Sequence, residues 1–138
     1  MLGNPAISVL TDAYVKGIIP QLDIEKAYQY ADTTSQLFGN VKYGYTPNPA
    51  GVSKTLEYAY TEWCMYCLAK ALGKDEDAQK YFNLSLSYEN IYDPDKKTFR
   101  PRDTEGVLLL GPAKVSYKDG MVVLRVIYYN KNGLFHII

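Results

Sequence analysis

Residues 51–73, GVSKTLEYAYTEWCMYCLAKALG, constrain what this chain can fold into more than any other stretch. Their apolar residues recur with helical spacing, so the sequence predicts one long helix. Ser53 is the expected N-cap, and Gly73 the expected left-handed residue that stops it. Leu56, Tyr60, Trp63, Cys67 and Ala71 make one apolar stripe, and Ala59, Cys64, Tyr66 and Leu68 widen it. Tyr58, Met65 and Leu72 leave even the opposite side mostly apolar. A helix of that kind is expected to be buried rather than laid on a surface. Yet its first half carries two carboxylates, Glu57 and Glu62, and a carboxylate inside a protein is costly unless it is paired, hydrogen-bonded or turned to a polar cavity.

The flanking segments read as partners for this helix. Asn4 is the expected N-cap with Pro5 at the first helical position, and Ala6, Ile7, Val9, Leu10, Ala13, Tyr14 and Ile18 cover most of the circumference of a first helix over residues 4–18. It too is expected to be buried, interrupted by Ser8, Thr11 and Asp12. Gly17 and Pro20 end it. A second helix over residues 23–37, capped by Asp23, has one apolar stripe (Ile24, Ala27, Tyr28, Ala31) and one polar face. A fourth, over residues 75–92, sets Ala78, Tyr81, Phe82, Ser85, Tyr88 and Tyr92 against Asp77, Lys80, Asn83 and Ser87. Buried and amphipathic helices thus alternate, as in two αα-hairpins of a helical toroid with inner and outer rings. The expected fold class is mainly α: a partial (α/α)6 toroid over residues 1–103, then a β-rich tail over 104–138. In that tail, residues 107–110, 113–117 and 121–129 are rich in β-branched and aromatic side chains, with turns at 118–120 and 130–133. Between the second helix and the long one lies FGNVKYGYTPNPA (residues 38–50), punctuated by glycine and proline, and loops of that length are often functional.

Composition narrows the partners. The formal net charge is zero, which leaves no electrostatic case for nucleic acid or an anionic membrane. No apolar run approaches the roughly 18–20 residues of a membrane span, and the first residues show no signal-peptide pattern. Fourteen tyrosines offer flat apolar faces with polar tips, suited to helix packing and also to stacking on sugar rings.

Few motifs carry chemistry. Cys64-Met65-Tyr66-Cys67 has the spacing of a redox pair, but both cysteines fall about three turns inside the helix, away from the N-terminal dipole that would lower a thiol pKa. A single CxxC with one histidine, His136, does not make a zinc site. Asn83-Leu84-Ser85 fits a glycosylation sequon, yet it lies within a helix. There is no phosphate-binding glycine loop and no nucleophile elbow. The polar groups left on otherwise apolar helices are Glu57, Glu62 and Asp12, joined by Arg100 and Arg102 around Pro101. A helix-start carboxylate favoured by the macrodipole also accounts for Glu57, and a surface salt bridge for the arginines.

Three stretches in continuous order resemble glycoside hydrolase family 92, the calcium-dependent exo-acting α-mannosidases: GNPAISVLTDAYVKGI, GVSKTLEYAYTEWCMYCLAKALGK and YENIYDPDKKTFRPRD. The resemblance spans roughly residues 2–103. It implies an (α/α)6 barrel of which this chain supplies about four helices. It also implies inverting hydrolysis, a mannose-containing glycan as substrate, and a periplasmic or secreted location. Where the family has two aspartates before the tryptophan, this chain has Thr61-Glu62. The family's general acid lies in a Glu-Gly-Asn…Trp segment soon after Arg-Pro-Arg, which is absent here. Its general base and calcium ligands lie further downstream still.

Two readings follow. In the first, the chain is part of a glycosidase catalytic domain, needing the rest of that domain and inactive alone, with no catalytic or metal-ligating residue of its own. Its substrate-binding residues are then expected to be Glu57, Tyr58, Glu62, Asp12, Tyr43, Tyr45 and Arg102. In the second, the helices form a stand-alone carbohydrate- or protein-interaction module.

Overall fold

The computed structural model describes residues 4–38, 40–47 and 51–109, with two short strands at 127–129 and 135–137. Four helices dominate: α1 (Ala6–Val15), α2 (Gln21–Phe38), α3 (Gly51–Ala71) and α4 (Asp75–Ser85). A 3₁₀ turn, Leu86–Ile91, extends α4 to a small hairpin of β1 (Tyr92–Asp93) and β2 (Thr98–Phe99). Here the expected single helix over 75–92 changes pitch at Ser85.

α3 is the element the others share. It packs against α1, α2, α4 and the 3₁₀ turn. The core gathers Ile7 from α1, Ile24, Tyr28 and Ala31 from α2, Cys64, Met65, Leu68 and Ala69 from α3, and Ala78 and Tyr81 from α4. Polar bonds tie neighbouring helices together. Thr11 Oγ1 donates to the Cys64 carbonyl, joining α1 to α3. Tyr28 donates to Asp77, while Tyr81 and Lys80 donate to Asp32, joining α2 to α4. The sequence's two apolar-rich helices are therefore neighbours, as are its two amphipathic ones.

Gly73 ends α3 as expected. Its φ of +71° suits a residue without Cβ, and the N–H groups of Gly73 and Lys74 satisfy the carbonyls of Lys70 and Ala69. The helix starts differ from expectation. α3 begins at Gly51, ahead of Ser53, and α2 at Gln21, which puts Asp23 in its first turn. Asn4 does not cap α1. Its amide instead donates to Ala31 O and Ser35 Oγ, fastening the start of α1 to the end of α2.

Two patterns are corrected. The buried face of α3 is Thr55, Ala59, Glu62, Met65 and Ala69, while Leu56, Tyr60, Trp63 and Cys67 are only half-buried and Ala71 is exposed. Small and hydrogen-bonded side chains let neighbouring backbones approach closely, so polarity and burial part company along this face. α1 is not buried all round. Ile7 and Thr11 are its buried residues, whereas Val9 and Val15 are 70% and 66% exposed. Over that side the described residues supply no cover.

Beyond Asp103 the chain turns back, and Arg102 bridges Leu108. β3 (Ile127–Tyr129) pairs antiparallel with β4 (Phe135–Ile137), matching Ile127 to Ile137 across the segment where a turn was expected. The expected strand at 113–117 and turn at 118–120 lie outside the described residues.

Candidate functional site

Residues 40–47 fold onto the first half of α3 and leave a pocket of about 210 Å³ beside it. Aromatic walls come from Phe38, Tyr43, Tyr45 and Tyr58, and two ammonium groups from Lys42 and Lys54. The Tyr43 and Tyr45 rings stand 6.2 Å apart at 41°, and Lys42 Nζ lies 4.9 Å from the centre of the Tyr43 ring. Among the described residues no carboxylate lines the pocket. Aromatic faces with a few donors suit a sugar ring, whose C–H face stacks and whose hydroxyls accept hydrogen bonds.

Asn40 holds this arrangement in place. It is 1% exposed, and each of its polar groups is engaged. Its N–H donates to Glu62 Oε1 (3.0 Å), and its carbonyl accepts from Gly44 N–H (2.8 Å). Its side-chain amide donates to Ser87 Oγ (2.7 Å) and to the Thr55 carbonyl (3.1 Å), while Oδ1 accepts from Thr46 Oγ1 (3.2 Å). Thr46 N–H in turn donates to Thr55 Oγ1. Loop, α3 and 3₁₀ turn thus meet at one asparagine. Gly44 keeps the loop tight: its φ is +71°, and a Cβ there would lie 2.9 Å from the Asn90 amide, which donates to Gly44 O.

Of the residues expected in a site, Tyr43, Tyr45 and Tyr58 come together on this pocket. The others stand elsewhere. Glu62 is fully buried and turned to Asn40; burial pushes its carboxyl up to about 8, against the downward pull of the Asn40 hydrogen bond. Glu57 is exposed near the start of α3. Asp12 is exposed and paired with Lys16 one turn on. Arg102 is half-buried and donates to the Gly106 carbonyl. Its neighbour Asp103 accepts the Tyr45 hydroxyl through its backbone carbonyl (2.9 Å), so the loop is tied to the turn that holds Arg102. Lys42, Lys54, Asn40 and Thr46 were not singled out by sequence. A buried helix carboxylate demands a donor, but nothing in the pattern says that it comes from a residue 22 positions away.

The cysteine pair is structural. Cys64 is buried and Cys67 half-buried, and burial raises their thiols to about 12 and about 11, so neither offers a thiolate near neutrality. Among the described residues no three or more His, Cys, Asp or Glu side chains are grouped so as to hold a metal ion together. No helix among them is long and apolar enough to cross a membrane.

Comparison with known proteins fits the helical frame. The model of the glycosyl hydrolase family 92 catalytic domain matches residues 1–122, running past Asp103. A family GH92 α-mannosidase structure from Bacteroides thetaiotaomicron superposes with a TM-score of 0.69 and 38% identity, over 80% of this chain and 16% of that one. The same enzyme is also known in complex with mannoimidazole. A family GH92 inverting mannosidase from Bacteroides thetaiotaomicron VPI-5482 gives a TM-score of 0.70 and 31% identity, over 80% and 17%. An uncharacterized secreted glycosidase of Arthroderma benhamiae is 28% identical over 121 residues, 70% of this chain and 16% of that protein. The chain therefore spans about one sixth of the length of these relatives.

Proposed function

Because the chain belongs to the glycosyl hydrolase family 92 catalytic domain, we propose that it forms one arc of an (α/α)6 toroid in an inverting α-mannosidase, where its aromatic pocket contributes to the glycan-binding wall. The observation that carries this reading is the family match over residues 1–122, joined to superposition on two mannosidases of that family. In such a toroid α1 and α3 stand in the inner ring, and α2 and α4 in the outer. The exposed apolar side chains Val9, Val15 and Tyr30 are then covered by the rest of the domain. The secreted relative supports a periplasmic or extracellular setting.

Recognition and reaction divide between this arc and the remainder. Inverting hydrolysis needs a carboxylic acid and a carboxylate roughly 6.5–9.5 Å apart on opposite faces of the scissile bond, with a water beside the base. Among the described residues no carboxylate lines the pocket, Glu62 is turned to Asn40, and Asp93 and Asp103 are committed to turns. Tyr43, Tyr45 and Tyr58 stack on the sugar, and Lys42 and Lys54 donate to its hydroxyls. The catalytic acid and base, with calcium, belong to parts of the domain outside the described residues.

The test is direct. The purified chain is incubated with calcium and an activated aryl α-mannoside, beside a double variant, Glu57→Gln/Glu105→Gln, that removes both Glu57 and the exposed acidic residue that follows Asp103. The expected result is no turnover above that control. Turnover abolished by the double substitution would show a complete site in this chain and overturn the division of labour.

A further inference from the structure

Of the two carboxylates in the first half of α3, Glu57 is exposed and Glu62 is the one that the fold hides. Glu62 is fully buried, Oε1 receives the Asn40 N–H at 3.0 Å, and Oε2 has no partner. Asn40 ties it to a cluster of neutral hydrogen-bonding groups, Thr46, Thr55 and Ser87, and among the described residues no charged side chain is bonded to it. An anion there would be buried without a counter-charge, whereas an unbonded neutral hydroxyl costs far less. Thr55 and Glu62 lie two turns apart on one face of α3, and each receives a backbone N–H of the loop, Thr46 and Asn40 respectively. Tyr58 sits between them in the chain and lines the pocket.

We propose that Glu62 is a positioning residue: as a neutral acid it fastens residues 40–47 to α3, and so holds Tyr43, Tyr45 and Tyr58 together as one aromatic wall. The assignment rests on the glycan reading only for what that wall is for. The sign of its pH dependence follows from linkage. In an opened loop the carboxyl is hydrated and titrates near its ordinary value of 4.5; in the closed loop burial holds it at about 8. The clamp is therefore complete below 4.5, weakens as the pH rises through the window between these values, and levels off above 8.

Hydrogen exchange of the Asn40 amide, followed by NMR on the whole chain from pH 5 to pH 9.5 and referred to its intrinsic rate, reads the clamp. Protection is expected to fall about tenfold per pH unit up to about 8 and then level. In Glu62→Gln, which keeps the acceptor but cannot ionise, it is expected to stay flat. A flat profile in the unsubstituted chain, or the same slope in Glu62→Gln, overturns the proposal. A third reading needs no variant: the ¹³C shift of the Glu62 carboxyl is expected to titrate near 8, and titration near 4.5 overturns it equally. None of these needs a glycan or turnover, so their failure leaves the mannosidase reading untouched, and failure of that reading leaves the clamp.

Discussion

Among the described residues two carboxylates are taken from water, and the fold treats them in opposite ways. Glu62 is 0% exposed and Asp93 4% exposed. Asp93 meets a cation: one oxygen accepts from the Arg100 guanidinium, and the other from the N–H groups of Asp95 and Lys96. Those bonds, Arg100 first, hold its carboxyl below the usual carboxylate range. Among the described residues Glu62 meets the Asn40 amide and no cation, and burial pushes its carboxyl up. Burial alone therefore decides neither the charge of a carboxylate nor its use; the partner decides both. The charged pair serves geometry at a hairpin: Arg100 also donates to the Leu109 carbonyl and so fixes the path of the chain after Arg-Pro-Arg. The neutral acid serves the docking of a loop.

The comparison can be broken first at Arg100. Arg100→Met strands Asp93 in a buried site and releases Leu109, and the loss of one partner from a buried pair is among the costliest single changes. The thermal midpoint, followed by circular dichroism at pH 7, is expected to fall by about 10 °C or more. A change of a degree or two would mean that the ion pair is no more than a surface contact.

Next in size is the pH dependence of global stability. The raised carboxyl of Glu62 stabilises the fold fully below 4.5 and loses that contribution as the pH rises toward about 8. The lowered carboxyl of Asp93 works the other way, stabilising at neutral pH and losing its contribution in acid as the pH falls through its folded value. Urea titrations at several pH values should show Glu62→Gln gaining on the unsubstituted chain by up to ~1.4 kcal/mol per pH unit between pH 5 and 8. Parallel stability curves for the two proteins would remove Glu62 as their source.

Smallest is Asp12, an exposed carboxylate with a salt bridge to Lys16 at 2.6 Å. Asp12→Asn is expected to cost no more than ~0.5 kcal/mol in the same titrations, because solvent screens exposed i, i+4 pairs. A larger loss would show that a contact visible in neither the sequence nor the fold depends on this aspartate.

The helical frame was legible in the sequence because apolar spacing is a local property. Ile24, Tyr28 and Ala31 on α2, and Ala78, Tyr81 and Ser85 on α4, are buried as their spacing indicates. The conflict between an apolar helix and its acidic residues also pointed at Glu62. Spacing could not show which face of α3 would be innermost. Thr55 and Glu62 are buried because the loop reaches them, and those pairings join residues 9 and 22 positions apart. For α1 the same arithmetic overreached: Val9 and Val15 are apolar, but apolar character does not supply a neighbour to cover them. Within the candidate site, the tyrosines were legible as residue types in a glycine- and proline-rich loop. The asparagine that organises them was not, since an Asn in such a loop reads first as a turn former.

Asn40 also bears on the order in which the chain assembles. Its side chain bonds Thr55 on α3 and Ser87 in the 3₁₀ turn, so one amide closes spans of 15 and 47 residues at once. Spans of that length are entropically costly to close, and such contacts gain most once the helices between them are already packed. The aromatic pocket is therefore expected to form late in folding, once α3 and α4 have docked and their 3₁₀ extension has brought Ser87 within reach. An ordered Tyr43–Tyr45 pair is accordingly a mark of a finished fold rather than a nucleus for one.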